Sequence, residues 1–118
     1  MNTSILKIDE IADIIRPITQ KYNIDEVYIF GSYARNEVSP DSDIDFLVSG
    51  GDKFRLTDIF AFAEELRRVL DKKIDVFEIN EVNENSDFYR QIMNEKVLVA
   101  LLDLMMNVIR KFMIMRLN

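Results

Sequence analysis

The chain has 118 residues, which is long enough for one domain with a substantial core, and its 15 basic and 21 acidic residues give a formal net charge of −6. It contains no cysteine and no histidine, so disulfide bonds, thiolate metal sites and histidine-based catalysis are excluded. The negative charge disfavours direct nucleic-acid binding but permits a single nucleotide that arrives with its own metal ions.

The N-terminal segment predicts a helix of a cytoplasmic protein rather than an export signal. Its first residues, MNTSILKIDEIADII, contain an acidic pair where a signal peptide needs an uninterrupted apolar core. Isoleucines at helical spacing predict an amphipathic helix over roughly residues 5–22. Pro17 removes a backbone donor within that range, so we expect a kink or two shorter helices, ended by Asn23.

Two short segments after this helix predict strands. The apolar run Val27–Phe30 consists of strand-forming residues and stops at Gly31. Residues 43–49 alternate along the chain in the manner of a strand. One predicted face carries Ile44, Phe46 and Val48, and the other carries Asp43, Asp45 and Leu47.

Further helices and a third strand complete the regular part of the chain. Thr57 is a candidate N-cap for a helix that ends near the basic pair Arg67–Arg68. Residues 73–79 predict a strand, and the apolar residues near Ile92 predict a short helix. Helices that alternate with strands indicate an α/β (α+β) domain with a mixed three- or four-stranded sheet and flanking helices.

The C-terminal segment is the most apolar part of the chain. We assign residues 1–97 to the domain and residues 98–118 to a separate apolar segment. Polar residues such as Asp103 and Lys111 would be costly at the centre of a bilayer, so we do not expect a membrane span. The segment packs either on the domain itself or against a second chain, in a homo- or hetero-oligomer.

Carboxylates are crowded at the start of the second strand. Because side chains alternate along a strand, Asp43 and Asp45 project from the same face, with Cβ atoms roughly 6.5–7 Å apart. Two anions at this separation repel unless a cation lies between them, and magnesium prefers carboxylate oxygens. Asp75 offers a third carboxylate from the next strand, and three carboxylates can hold two such ions.

The residues before this strand predict a phosphate site. Gly31 lets the backbone approach an anion closely, and the hydroxyl and amide of Ser32 can face the same anion. Arg35 is placed to contact phosphate oxygens or to pair with one of the carboxylates.

The spacing of these residues resembles a known family signature. Gly31-Ser32, ten intervening residues and Asp43-Ile44-Asp45, with Asp75 in a later strand, resemble the signature of the polymerase-β-type nucleotidyltransferase superfamily. The run GSYARN…SPDSDIDFLV is similar to its minimal nucleotidyltransferase (MNT) members, and the resemblance covers about residues 8–97. Asn36 departs from the pattern, because many members have glycine at that position.

The resemblance implies a small nucleotidyltransferase fold and a role for each motif residue. Gly31 and Ser32 would contact the terminal phosphates of ATP or another nucleoside triphosphate. Asp43 and Asp45 would bind two Mg²⁺ ions, and Asp75 would bind the catalytic ion and draw the proton from the attacking hydroxyl. The hydroxyl would attack the α-phosphorus, and pyrophosphate would leave.

The resemblance also implies a partner. MNT members are commonly encoded beside a small helical HEPN-domain protein, and the two form a toxin–antitoxin pair in which AMP transfer to a partner tyrosine can neutralise the toxin. The first interpretation is therefore an Mg²⁺-dependent protein adenylyltransferase-like enzyme that acts as antitoxin, with residues 98–118 as a candidate docking surface.

Three other interpretations stay open from the sequence. The domain could be a non-catalytic binding module that neutralises its partner by occupancy, or it could transfer a nucleotide to a small hydroxylated molecule. Asp41, Asp43 and Asp45 also mimic the opening of a calcium loop, although Phe46 occupies the position of the sharp-turn glycine.

Overall fold

The computed structural model describes residues 5–51 and 54–101, in which helices alternate with the strands of one sheet. In chain order the elements are α1 (Ile8–Thr19), a 3₁₀ turn (Gln20–Tyr22), β1 (Ile24–Phe30), β2 (Ile44–Gly50), α2 (Leu56–Leu70), β3 (Ile74–Glu78), a second 3₁₀ turn (Ile79–Glu81), α3 (Asp87–Glu95) and β4 (Val97–Leu101).

The four strands form a mixed sheet in the order β3-β2-β1-β4. β1 pairs antiparallel with both β2 and β4, whereas β2 and β3 are parallel and are joined through α2. A parallel pair needs such a crossover, because a tight hairpin can join only antiparallel strands. The predicted α/β class and mixed sheet are confirmed, with four strands.

The first helix is continuous through its proline. α1 includes Pro17 and then tightens into the 3₁₀ turn, so the chain makes one α-helix followed by a short turn rather than two α-helices. Asn23 ends this unit with a left-handed φ of 56°. Asparagine tolerates this conformation better than most residues, which explains its position as the terminating residue.

The second helix begins earlier than the sequence predicts. Its N-cap is Arg55, whose backbone N–H donates to Asp58 Oδ2 at 2.8 Å, so α2 starts at Leu56 and the predicted cap at Thr57 is wrong. An acidic side chain at the third helical position that accepts the N–H of the N-cap residue satisfies one of the free amides at the start of a helix.

Both faces of the sheet are covered. One face packs against α1 and α2, and its Ile44, Phe46 and Val48 are each 0% exposed. The other face packs against α3 through a smaller cluster that contains Leu47 and Ile92. The predicted alternation of residues 43–49 is therefore confirmed, and it directs Asp45 toward the face beneath α3.

The predicted boundary between residues 97 and 98 falls inside β4. Residues 98–101 belong to a strand whose register pairs Ala100 with Val27 and Leu101 with Glu26 of β1. The remainder of the apolar segment, 102–118, lies outside the described residues, so its packing stays a prediction. Across residues 5–51 and 54–101, no helix has the length and apolar character that crossing a membrane requires.

Substitution of two phenylalanines on α2 tests which face of that helix packs into the hydrophobic core. Phe62 is 0% exposed and Phe60 is 73% exposed. We expect Phe62→Ala to lower the free energy of unfolding by about 3–5 kcal/mol, because it leaves a cavity. Phe60→Ala is the matched control and should change it by about 0.5 kcal/mol or less. Urea unfolding followed by circular dichroism measures both, and equal effects would contradict the assigned core face.

Candidate active site

A row of side chains crosses the sheet where β1 ends. The strand registers pair Phe30 of β1 with Asp45 of β2, and Asp45 with Asp75 of β3. Directly paired residues point to the same face of a sheet, so the Asp45 and Asp75 carboxylates project side by side on the α3 side. Asp43 precedes β2 by one residue and therefore flanks this row.

Gly31 makes room for the central carboxylate. A Cβ atom at this position would lie 2.3 Å from Asp45 Oδ2, so the carboxylate rests directly against the Gly31 backbone. The residue also has a φ of 75°, which glycine adopts at little cost. Both features require glycine where β1 ends.

The segment after Gly31 forms hydrogen-bonded turns instead of a regular helix. The Arg35 N–H donates to the Gly31 carbonyl at 3.1 Å, and the Glu37 N–H donates to the Ser32 carbonyl at 2.9 Å. Asn36 has a φ of 59°, a left-handed conformation that asparagine adopts more readily than most residues. The turns bring the Arg35 side chain back toward the end of β1.

The structure adds a residue that the sequence did not single out. The Glu95 carboxylate, 13% exposed, accepts the Gly31 N–H at 2.8 Å and two contacts from Arg35 Nη1 at 3.1 and 3.0 Å. A glutamate in the last turn of a helix opposes the helix dipole. This unfavourable placement in α3 was the available signal that Glu95 has another role.

Most of the predicted site residues line one cavity. It has a volume of about 350 Å³ and includes five predicted residues. Its lining comprises Phe30, Gly31, Ser32, Arg35, Asp43, Asp45, Phe88, Gln91, Ile92 and Glu95. The motif and the cavity-facing side of α3 therefore enclose a single space.

Asp75 opens into a different cavity. This second space has a volume of about 470 Å³ and is lined by Asp43, Arg67, Asp71, Lys72, Lys73, Ile74 and Asp75. Asp43 borders both cavities, whereas Asp45 lines only the first and Asp75 only the second. The buried Lys72 donates to the Pro40 carbonyl at 3.3 Å and ties the loop before β2 to the loop before β3.

The crowded carboxylates change the protonation of Asp45. Burial is the largest cause, followed by the negative charges of Asp75 and Asp43, and together they raise the pKa of Asp45 to about 6. Arg35 opposes this effect. Perturbed carboxylates in a cavity are typical of functional sites.

The donor chemistry of the three aspartates suits a hard divalent cation. Asp43, Asp45 and Asp75 offer only oxygen donors, which magnesium prefers. Within the described part of the chain, no group of three acidic side chains is arranged to hold a metal ion. Besides burial, repulsion by Asp75 and Asp43 raises the pKa of Asp45, and a bound cation would relieve that repulsion.

Comparison with known proteins identifies the family. The family model described as "Polymerase beta, Nucleotidyltransferase" matches residues 13–103. The chain belongs to this family. It is therefore a nucleotidyltransferase, and the resemblance noted in the sequence is confirmed.

Individual relatives agree with this assignment. A protein of Methanocaldococcus jannaschii, which carries the assigned name protein adenylyltransferase, is 42% identical over 78 residues that cover 66% of this chain and 84% of the relative. A solved structure described as a minimal nucleotidyltransferase superposes with a TM-score of 0.67 at 22% identity, over 80% of this chain and 97% of the other.

A second solved structure, of a toxin–antitoxin with AMP-PNP, superposes with a TM-score of 0.62 at 20% identity. The match covers 80% of this chain and 73% of that chain. At these identities the two structures establish the fold of the nucleotidyltransferase, and the predicted small nucleotidyltransferase fold is confirmed.

Gly31→Ala tests the close approach of Asp45. The added Cβ would collide with the carboxylate and strain the positive φ, so we expect a loss of about 2 kcal/mol or more in the free energy of unfolding. In Gly51→Ala, the control, the nearest atom is the Asp25 Oδ1 at 2.9 Å, a side-chain atom that can turn aside. Urea titration of both variants gives the comparison, and equal losses would refute the packing described for Gly31.

The pKa of Asp45 predicts a pH-dependent cost. Its folded value of about 6 lies above the unfolded value near 3.9, so ionisation of Asp45 opposes folding. That cost is absent below about pH 4 and complete above about pH 6. We expect Asp45→Asn to raise the free energy of unfolding by about 1–2 kcal/mol more at pH 8 than at pH 4. Urea unfolding with a chelator present measures this, and a pH-independent effect would contradict it.

Proposed function

We propose that the nucleotidyltransferase is Mg²⁺-dependent and moves a nucleoside monophosphate, with AMP the first candidate, from a nucleoside triphosphate to a hydroxyl of a partner protein. We further propose that it acts as the antitoxin of a toxin–antitoxin pair. The observation that carries the proposal is the shared cavity in which Gly31, Ser32, Arg35, Asp43 and Asp45 meet.

The phosphate-binding part of the proposal rests on the turn after β1. Ser32 presents a half-buried side chain to the cavity, and Arg35 is the cation among the residues that line it. Terminal phosphates bound there would place the α-phosphorus toward the aspartates. Backbone amides and a guanidinium suit this task, because they bind phosphate oxygens by charge-assisted hydrogen bonds.

The aspartates supply the chemical part of the proposal. Asp43 and Asp45, together with Asp75, would hold magnesium, which when bound would neutralise charge on the reacting phosphate and the leaving pyrophosphate. The acceptor hydroxyl would form the new bond to the α-phosphorus, while the bond to the bridging oxygen of pyrophosphate breaks. Asp75 would take the proton of that hydroxyl.

The second cavity offers an approach for the acceptor. Asp75 lines this cavity and not the first, whereas Asp43 lines both. A nucleotide in the first cavity and a hydroxyl in the second would therefore meet beside Asp43. This arrangement supports transfer to a separate acceptor, because neither substrate would have to cross the space of the other.

The antitoxin role rests on the relatives and on one edge of the sheet. A structural neighbour is a toxin–antitoxin with AMP-PNP, and a sequence relative carries the name protein adenylyltransferase. Among the strands that the structure describes, β4 lies at one edge of the sheet, and its Val97 and Leu98 are 36% and 46% exposed. We propose that this edge, together with residues 98–118, contacts a HEPN-domain partner.

A transfer assay tests the proposed function. The purified protein is incubated with each α-³²P-labelled nucleoside triphosphate, Mg²⁺ and the product of the adjacent gene. We expect a labelled partner band that the double variant Asp43→Asn/Asp45→Asn reduces by about 100-fold or more, because the metal-binding carboxylates are lost. Asp41→Asn is the matched control, since Asp41 is exposed and lines neither cavity.

The pattern of results separates the competing functions. Loss of both label and cellular protection in the double variant supports enzymatic neutralisation. Protection that persists without label would instead establish a binding module that acts by occupancy. Label that survives in the double variant would contradict the assigned aspartates, and absence of label with every triphosphate would overturn the transfer reaction to this partner.

A further inference from the structure

Glu95 occupies the position that the proposed function assigns to phosphate. Its Oε1 accepts the Gly31 N–H at 2.8 Å and also contacts Arg35 Nη1 at 3.1 Å, while Oε2 contacts the same Nη1 at 3.0 Å. The carboxylate thus engages a backbone amide and a guanidinium, which are two donors typical of phosphate sites. It does so inside the cavity that contains Ser32.

The negative charge of this cavity makes the position of Glu95 unfavourable unless its contacts with Gly31 and Arg35 compensate for it. Three carboxylates line it, those of Asp43, Asp45 and Glu95, and Arg35 is the cation among its lining residues. Glu95 adds to the repulsion that Asp45 experiences, so it is a costly neighbour for Asp45. Gly31 and Arg35 offset that cost, and an incoming polyphosphate would compete for the same donors.

A second contact keeps Arg35 oriented without Glu95. Arg35 Nε donates to Glu37 Oε2 at 3.1 Å, and Glu37 lies outside the cavity lining with a side chain that is 65% exposed. If Glu95 withdraws, Nη1 becomes available while Nε stays paired. The guanidinium is therefore organised to exchange one anion for another.

We propose that Glu95 is an internal substitute for a phosphate group, which holds the Gly31 amide and Arg35 until the terminal phosphates of a nucleoside triphosphate displace it. Glu95 is not a catalytic residue in this scheme. It sets the affinity for nucleotide by competing for the phosphate position, and it keeps the binding turn ordered when the cavity holds no nucleotide. The inference rests on the proposed function, since it specifies where that function binds phosphate.

Displacement of Glu95 would move the last turn of α3. Glu95 is the last residue of α3, and Phe88 and Gln91 of the same helix line the cavity. Ile92 is 1% exposed and anchors the helix to the sheet, so the movement is confined to the final turn before β4. The first residues of the apolar segment follow directly, at the start of β4.

The test measures binding rather than turnover. In Glu95→Gln the side chain keeps its length and an oxygen that can accept the Gly31 N–H, but it loses its charge. We expect this variant to bind a non-hydrolysable ATP analogue with Mg²⁺, and inorganic tripolyphosphate, about three- to tenfold more tightly than the unsubstituted protein, since the competing anion is gone. Isothermal titration calorimetry without partner protein gives both dissociation constants.

Two controls separate occupancy from general charge. Glu81→Gln removes one exposed negative charge outside the cavity and should leave both dissociation constants within about twofold. Glu37→Gln removes the other Arg35 partner and should not tighten binding. Glu95→Asp keeps the charge but cannot reach both donors, so we expect intermediate tightening, and it provides a second reading if Glu95→Gln folds poorly.

The outcomes distinguish this inference from the proposed function. Equal or weaker binding by Glu95→Gln and Glu95→Asp, with nucleotide binding intact in the unsubstituted protein, overturns the role of Glu95 alone and makes it a fixed brace of the turn. If neither the unsubstituted protein nor any Glu95 variant binds the analogue or tripolyphosphate, the phosphate site itself is refuted and both proposals fail. Tighter binding confined to the Glu95 variants supports the inference.

Discussion

The contact between the Asp45 carboxylate and the Gly31 backbone is the constraint on which the rest of the site depends. It requires glycine at a positive φ where β1 ends, which turns the chain away from the sheet. The turn brings Arg35 back over the same space, and the strand register places Asp75 beside Asp45. The close packing at Gly31 and the clustering of charged side chains therefore depend on the same part of the structure, the end of β1.

This arrangement stores repulsion that the core must offset. Burial and neighbouring carboxylates raise the pKa of Asp45 to about 6, so its ionised form opposes folding near neutral pH. On the opposite face of β2, Ile44, Phe46 and Val48 are fully buried against α1 and α2. Natural proteins commonly concentrate such unfavourable electrostatics at functional sites and compensate through packing elsewhere.

The nucleotidyltransferase has two cavities that share Asp43 but otherwise have different lining residues. Asp43 borders both the space that contains the glycine-serine turn and the space that contains Asp75, an arrangement that suits the two substrates of the proposed transfer. Glu95 places an anion of the protein itself on the Gly31 amide and Arg35 in the first space. Through α3 and β4, the proposed phosphate position is connected along the chain to the sheet edge proposed to contact the partner.

By itself the sequence determined the features that depend on local periodicity and on residues close in the chain. It predicted the two faces of β2, the strand that stops at Gly31 and the mixed α/β class, because strand alternation and turn chemistry act over a few residues. The tertiary structure alone decided that β4 lies beside β1 and that Glu95 reaches the Gly31 amide, 64 residues away along the chain. Such contacts depend on strand order and helix docking, which the packing of the whole domain determines. They produce no periodic pattern in the local sequence, so the sequence alone could not predict them.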